Sequence, residues 1–462
     1  MTPESDRGNF RLLALTPLDG RYTHETQPLQ KYFSEFAYQR LRVRVEVEYL
    51  IALSRDARLI REFSDTEETF LRALAADFSL PAAQEIKRLE QTTRHDVQAI
   101  VYYLRAQLTP TSLADVVEWL HFGLTSEDVN QTAYAIALRD SRDTIILAAL
   151  NQIIDRLSTL ARQHARTPML ARTHGQPAVP TTFGKELAVF LVRLKKQRAF
   201  LSQHRFETKL AGAVGNFNAL ISAAPQVDWL TFSTHFIHAL GLESNLYVTQ
   251  LMPYDNWLGY FDSLRLTNSI LLDAAQDLWR FVSDDYLSQH VVAGEIGSST
   301  MPQKVNPIDF ENAEGNLGIA NALFAHYAQK LALSRLQRDL SDSTVRRTFG
   351  VALGHSLVAY FSFARGLERI QPNEERMRQD LLAHWNVIAE GVQTILRAAG
   401  VENAYEELKT LTRGKNLSES GYQSWIASLT INESIKSRLR ALSPLSYIGL
   451  AAELVEYALT TD

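Results

Sequence analysis

The chain has 462 residues, is 46% hydrophobic, and carries a net charge of -5 with 0 cysteines. The length accommodates about three domains at the usual ~150 residues each. The lack of cysteine excludes a disulfide framework, Cys-ligated zinc and a Cys nucleophile. No basic block marks a nucleic-acid footprint.

The opening, MTPESDRGNF, is polar and lacks the apolar core of a signal peptide. No apolar run approaches the roughly 18 residues of a membrane span. The expectation is a cytoplasmic protein with no membrane contact. Near the N-terminus, Asp19-Gly20-Arg21-Tyr22 places an Arg after a turn, and Thr93-Arg94-His95-Asp96 offers a His; each is a weak signal alone. Leu108-Thr109-Pro110-Thr111-Ser112 is a breaker cluster that marks a boundary. Leu124-Thr125-Ser126-Glu127-Asp128 follows Gly123 and reads as a helix N-cap with acidic first-turn residues. Such a helix start also offers free N–H groups to an anion.

Gly and Pro punctuate helices, and neither occurs between Gly123 and Pro168, Gly184 and Gly212, Gly259 and Gly294, or Gly318 and Gly350. These stretches predict helices tens of ångströms long at ~1.5 Å per residue. Leu150, Ile153, Ile154, Leu157, Leu160 and Ala161 keep helical spacing, as do Leu187, Phe190, Leu191 and Leu194. Apolar residues on more than one helix face predict subunit association. The fold expected is all-α: an N-terminal helical domain over 1–111, a central long-helix bundle over 112–368 and a C-terminal helical domain over 369–462, the last opening at Ile370-Gln371-Pro372-Asn373.

Three polar clusters interrupt the central helices. Arg172-Thr173-His174-Gly175-Gln176-Pro177 sets one His in irregular backbone; histidine is the usual proton-transfer group near neutrality, though a lone His is more often structural. Gly294–Pro307, GEIGSSTMPQKVNP, combines hydroxyls, loop N–H groups and Lys304, the parts of a carboxylate-binding loop able to house an activated Ser. Arg338–Arg347 holds three arginines with hydroxyl residues, either a phosphate clamp or a solvated charged face. HExxH, GxGxxG after a strand, and GxSxG are all absent, so no metal, no cofactor and no hydrolase elbow are expected.

Taken together, DGRY, TRHDVQA, HFGLTSED, RTHGQPA, GSSTMPQKVNP and RDLSDSTVRR resemble the fumarase/aspartase superfamily, in its order and spacing and along essentially the whole chain. Within it they are similar to the bacterial type of the branch that acts on succinylated purine nucleotides. The resemblance implies a homotetrameric all-α lyase that eliminates fumarate, with active sites shared between subunits and a small-molecule substrate. It implies Ser298 as general base, His174 as general acid and Glu311 as the carboxylate paired with that His. Lys304 and Asn306 match residues that hold the succinyl carboxylates, and Thr125 and Ser126 match a carboxylate-binding helix start. His95 matches a substrate-binding His; Arg21, Tyr22, Arg338, Ser343 and Arg347 match the phosphate and ribose site. Thr173, Gln250 and Met301 match further substrate-binding positions. Gln303 departs, standing where that branch commonly has His; argininosuccinate lyases usually have Gln there. An argininosuccinate lyase and a catalytically silent structural homologue are the alternatives.

Overall fold

Helix start signals are met by side chains along the first hundred residues. In the computed structural model, which describes residues 10–290, 294, 300–301, 303–402, 406, 408–409 and 417–460, α1 (Glu35–Arg55) begins where Ser34 Oγ accepts the Ala37 N–H at 3.1 Å. α2 (Asp65–Ala76) opens with a capping box: Glu67 N–H donates to Ser64 Oγ at 3.3 Å, and Ser64 N–H donates to Glu67 Oε2 at 2.9 Å. α3 (Leu80–Thr93) and α4 (Asp96–Leu108) follow. Val43, Val47, Leu50, Leu71, Ile86, Ile100 and Leu104 from these four helices share one core.

The Gly/Pro-free stretches then become long helices. α5 (Ser126–Ser141) passes through a π turn, Arg142–Ile146, into α6 (Leu147–Gln163). After the hairpin of β1 (Pro168–Thr173) and β2 (Gln176–Thr182) come α7 (Phe183–Gln203), β3 (Glu207–Thr208), α8 (Trp229–Ala239), β4 (Glu243–Ser244) and the 29-residue α9 (Asp255–Ser283). β5 (Leu287–Gln289), α10 (Ile308–Leu331), α11 (Ser341–Arg346), α12 (Phe349–Arg369), β6 (Ile370–Pro372) and α13 (Glu374–Ala383) continue the chain. The apolar stripe read from α6 is buried at Leu150, Ile153, Ile154, Leu157 and Ala161, and that of α7 at Leu187, Phe190, Leu191 and Leu194. The all-α reading holds, with the strands among the described residues confined to three two-stranded ladders.

The residues form two compact units. The first is Met1–Ala149, Arg198–Ser269 and Asn316–Ala359; the second is Leu150–Gln197, Ile270–Gly315 and Tyr360–Asp462. In the first, rings from α9, α10 and α12 interlock: Phe261 lies 4.8 Å from Phe349 and 5.7 Å from Phe324, and Tyr327 lies 5.2 Å from Phe349, centroid to centroid. In the second, Leu170 of β1 joins Leu381, Trp385, Ile388, Val392 and Tyr422 in a core.

The Gly/Pro-free stretch between Gly318 and Gly350 is broken in its middle. α10 stops at Leu331, and residues 332–340 are irregular, with Leu336 at φ 50°. Polar side chains capture the backbone there: Asp339 accepts the N–H groups of Arg335 at 3.1 Å and Ser341 at 2.8 Å. Ser and Asp compete with helical hydrogen bonding in this way without Gly or Pro. Among the described residues no helix is long and apolar enough to cross a membrane.

Gly123, which precedes α5, is at φ +67°, and a Cβ there would sit 2.2 Å from Leu220 Cδ2. Gly123→Ala therefore meets both left-handed backbone cost and overpacking. The expected loss is about 2–5 kcal/mol of unfolding free energy, read as a lower urea midpoint. A midpoint equal to wild type would show that neither cost is felt.

Candidate active site

A cavity of about 350 Å³ in the first unit gathers five of the residues singled out in the sequence: His95, Ser126, Arg338, Ser343 and Arg347. His95 and Asp96 reach it from the start of α4, and Ser126, Glu127 and Asn130 from the first turns of α5. Arg42 comes from α1, Arg94 from the end of α3, and Arg338, Leu340, Ser343, Arg346 and Arg347 from 338–347. Thr125 is the N-cap of α5, one residue before Ser126. Gln250 joins through Arg338, whose Nη1 donates to Gln250 Oε1 at 2.9 Å. These two also line an adjoining space of about 450 Å³. Five arginines against three carboxylates line the first cavity, so its field favours an anion.

The helix start is anchored from below. Asp128 is buried; its Oδ2 accepts the Thr125 N–H at 2.8 Å, and its Oδ1 takes buried Lys209 Nζ at 2.6 Å. The N–H groups of Ala211 and Gly212 fill its other lone pairs at 3.0 and 3.1 Å. A fully satisfied buried carboxylate of this kind fixes the backbone of 125–128 in place.

Glu127 is 0% exposed and serves the cavity wall. Its carboxylate takes Arg346 in a forked pair at 2.9 and 3.1 Å, Arg338 Nη2 at 2.8 Å and Asn130 Nδ2 at 3.0 Å. Burial pulls its pKa upward, but Arg346, then Arg338 and Asn130, outweigh it, and the group titrates below the usual carboxylate range. Arg346 also pairs with Asp342 at 3.1 Å and lies 5.1 Å from the Tyr134 ring centroid. It is 2% exposed, so it belongs neither to a ligand clamp nor to a solvated face. Arg42 extends the lattice, giving Nε to Asn130 Oδ1 and Nη2 to Asp96 Oδ2, both at 2.8 Å. Arg347 keeps only long pairs, 3.6 Å to Glu35 and 3.8 Å to Asp96, and is half exposed. With Arg94, which is also exposed in the lining, it is a guanidinium open to a ligand.

His95 caps α4 with its ring: Nδ1 accepts the Gln98 N–H at 3.1 Å. In the neutral ring the proton then sits on Nε2, which lies 3.5 Å from Ser126 Oγ. Arg21 is exposed and Tyr22 half-buried, and neither lines the 350 Å³ cavity. Asp19 of the same turn lines a smaller space of about 170 Å³ that shares Arg347.

The remaining residues lie in the second unit. Thr173 pairs with Gln176, so His174 and Gly175 form a two-residue hairpin turn at φ 54° and 72°. Both positive values match the primed turn that strand twist favours. His174 stands exposed at the tip and makes no hydrogen bond or ion pair among the described residues. Arg172 Nη2 anchors the hairpin to Asp380 Oδ2 of α13 at 3.0 Å, and Tyr286 OH donates to the same oxygen. Glu311 accepts the Trp279 indole N–H at 3.0 Å and forms no pair with His174 within the chain. Lys304 and Met301 are exposed and Asn306 is half-buried; the Lys304 N–H donates to Met301 O at 3.1 Å. Ser298 lies outside the described residues. Among the described residues no group of three or more His, Asp or Glu could hold a metal ion.

The sequence alone presents Glu127 as a first-turn acid and Arg346 as one of three arginines of a phosphate clamp, and does not single out Arg42 or Asn130. The only local signal was two carboxylates directly after a Thr-Ser cap.

Long helices with a cationic cavity at a helix start describe an all-α protein fitted to hold an anion; similarity to known proteins places it among the lyases of the fumarase/aspartase superfamily. Residues 20–320 match the family model described as Lyase, and 334–448 match that of the adenylosuccinate lyase C-terminal region. The chain is 45% identical over 448 residues to an adenylosuccinate lyase of Haemophilus influenzae, covering 96% of this chain and 98% of that protein. It is 44% identical to that of Escherichia coli K12, with the same coverage, and 45% identical over 453 residues to that of Dictyostelium discoideum, covering 95% and 97%. A fumarate lyase from Mesorhizobium sp. BNC1 shares the fold at TM-score 0.76 and 20% identity, covering 94% of this chain and 98% of that one. A 3-carboxy-cis,cis-muconate lactonizing enzyme from Pseudomonas putida does so at 0.75 and 22%, covering 94% and 96%. The chain belongs to the adenylosuccinate lyase family.

Glu127→Gln leaves Arg346 buried without its full countercharge. The expected cost is about 3–5 kcal/mol of stability at neutral pH, measured by denaturant titration. Because the folded carboxyl titrates below its ordinary value of 4.5, its contribution is complete above that pH and is lost as pH falls through the folded value. The difference between wild type and variant should therefore shrink in acid; a gap that widens there would contradict the assignment.

Proposed function

We propose that this chain catalyses β-elimination of fumarate from adenylosuccinate to give AMP, and from the succinyl-carboxamide ribotide of purine synthesis to give its carboxamide. The observation that carries the reading is likeness to adenylosuccinate lyases over nearly the whole chain. The cationic cavity at the α5 start supports it, since argininosuccinate has no phosphate to occupy such a site.

The proton to be removed lies next to a carboxylate, so its loss generates an aci-carboxylate dianion. Lys304, Asn306 and loop N–H groups stabilise that charge best in a dry site. Ser298 is the base and needs a nearby cation and desolvation to lose its proton. His174 protonates the departing nitrogen from the opposite face, with Glu311 as its paired carboxylate in the assembled enzyme. Arg347, Arg338 and Ser343 take the phosphate, with Arg21 and Tyr22 at the same ligand end, and His95 presents Nε2–H beside Ser126. Thr125 and Ser126 receive a carboxylate, and Thr173, Gln250 and Met301 make further substrate contacts. Each complete site takes residues from more than one subunit of a homotetramer. Among the described residues His174 and Glu311 of one chain do not meet each other, which supports this.

Purified protein mixed with adenylosuccinate should lose the substituted-purine absorbance and release fumarate in equal amount. Fumarate from argininosuccinate instead would overturn the substrate and make Gln303 the informative residue; silence with both would favour a structural role.

His174→Asn separates chemistry from fold, because Asn tolerates the left-handed turn. Turnover should drop ~10²–10⁴-fold with the thermal midpoint little changed. Arg347→Gln should raise KM far more than it lowers kcat. A kcat loss at unchanged KM would remove Arg347 from substrate binding.

A further inference from the structure

We propose that the first unit carries a second anion site, in a cavity of about 400 Å³ between α1 and α2, which takes a phosphate-bearing organic molecule. The cavity shares no lining residue with the one that holds His95 and Arg347. Three guanidiniums line it: Arg40 and Arg44, one turn apart on α1, and Arg72 of α2.

The carboxylates at hand are already engaged. Glu48 takes Arg72 Nε at 3.0 Å, and Arg72 also reaches Glu68 at 3.0 Å. Asp140, the other acid in the lining, pairs with Arg139 at 2.7 Å. Arg40 and Arg44 are therefore in excess. Arg40 donates Nη2 to the Lys31 carbonyl at 3.0 Å, and its Nε is buried with no acceptor. Arg44 is half-buried and has neither ion pair nor hydrogen bond among the described residues. Like charges at i and i+4 repel, and a buried N–H without a partner is costly. One multiply charged anion relieves both, and guanidiniums suit phosphate because they can bond two oxygens at once. Leu41, Val47 and Ala75 make part of the wall apolar, which suits a ligand with an organic portion better than a bare anion.

The test is calorimetric titration of the full-length protein with phenyl phosphate and with inorganic phosphate. It is run on wild type, Arg44→Gln, Arg40→Gln and Arg347→Gln, with activity and sedimentation recorded for each. Phenyl phosphate should bind more tightly than inorganic phosphate. Arg44→Gln and Arg40→Gln should each weaken it about tenfold or more while activity stays at wild-type level, and Arg347→Gln should leave this binding intact. Arg44→Lys, which keeps the charge, should weaken it less and guards against a misfolded Gln variant. Binding lost only in Arg347→Gln would place the sole anion site in the other cavity and overturn the proposal. So would an Arg44→Gln protein with unchanged binding but altered sedimentation, which would mean that a carboxylate of a second copy fills the space. Equal affinity for the two probes would overturn the organic part.

Discussion

A carboxylate with no access to water holds two guanidiniums at the wall of the cationic cavity. Glu127 could not stay ionised there alone, since burial opposes its charge; it does so because Arg346 meets both of its oxygens and Arg338 and Asn130 meet one. The dependence runs both ways. Arg346 is buried only because Glu127 and Asp342 neutralise it, and Arg338 is aimed by Glu127 on one side and Gln250 on the other. Fixed partners turn a flexible four-torsion side chain into a directed donor, the condition for binding an anion without a large ordering cost.

Two acids that follow one cap therefore divide the labour. Asp128 turns back into the protein, where Lys209 and three backbone N–H groups pin the loop to the helix start. Glu127 turns toward the arginines. Neither acts chiefly through the helix dipole, although first-turn placement suits both. Arg347, by contrast, is held loosely and shared with the space beside Asp19, which leaves its charge for a ligand.

The helical character was legible because apolar spacing and missing Gly and Pro act locally, and the stripes at Leu150–Ala161 and Leu187–Leu194 became buried faces as read. The break at 332–340 was not legible from Gly and Pro alone; it depends on which backbone N–H groups Asp339 captures, a matter of rotamer and tertiary setting. At the site, motif order pointed to His95, Ser126, Arg338, Ser343 and Arg347, which the fold brings to one cavity. It could not distinguish Arg346 from Arg347. Adjacent residues on a helix point about 100° apart, so one enters the interior and the next faces outward. Which is which is decided by a Glu more than 200 positions away.

Under the proposed mechanism the hairpin tip makes two demands of one position. Backbone sterics at φ 54° admit glycine freely and asparagine, aspartate and histidine at modest cost. Proton transfer near neutrality favours histidine among these four. A library randomised at 174 and selected only for folding would thus narrow to a few small or polar residues. Selection for turnover would choose within that set, so the geometry of the turn limits which acids this scaffold can ever try.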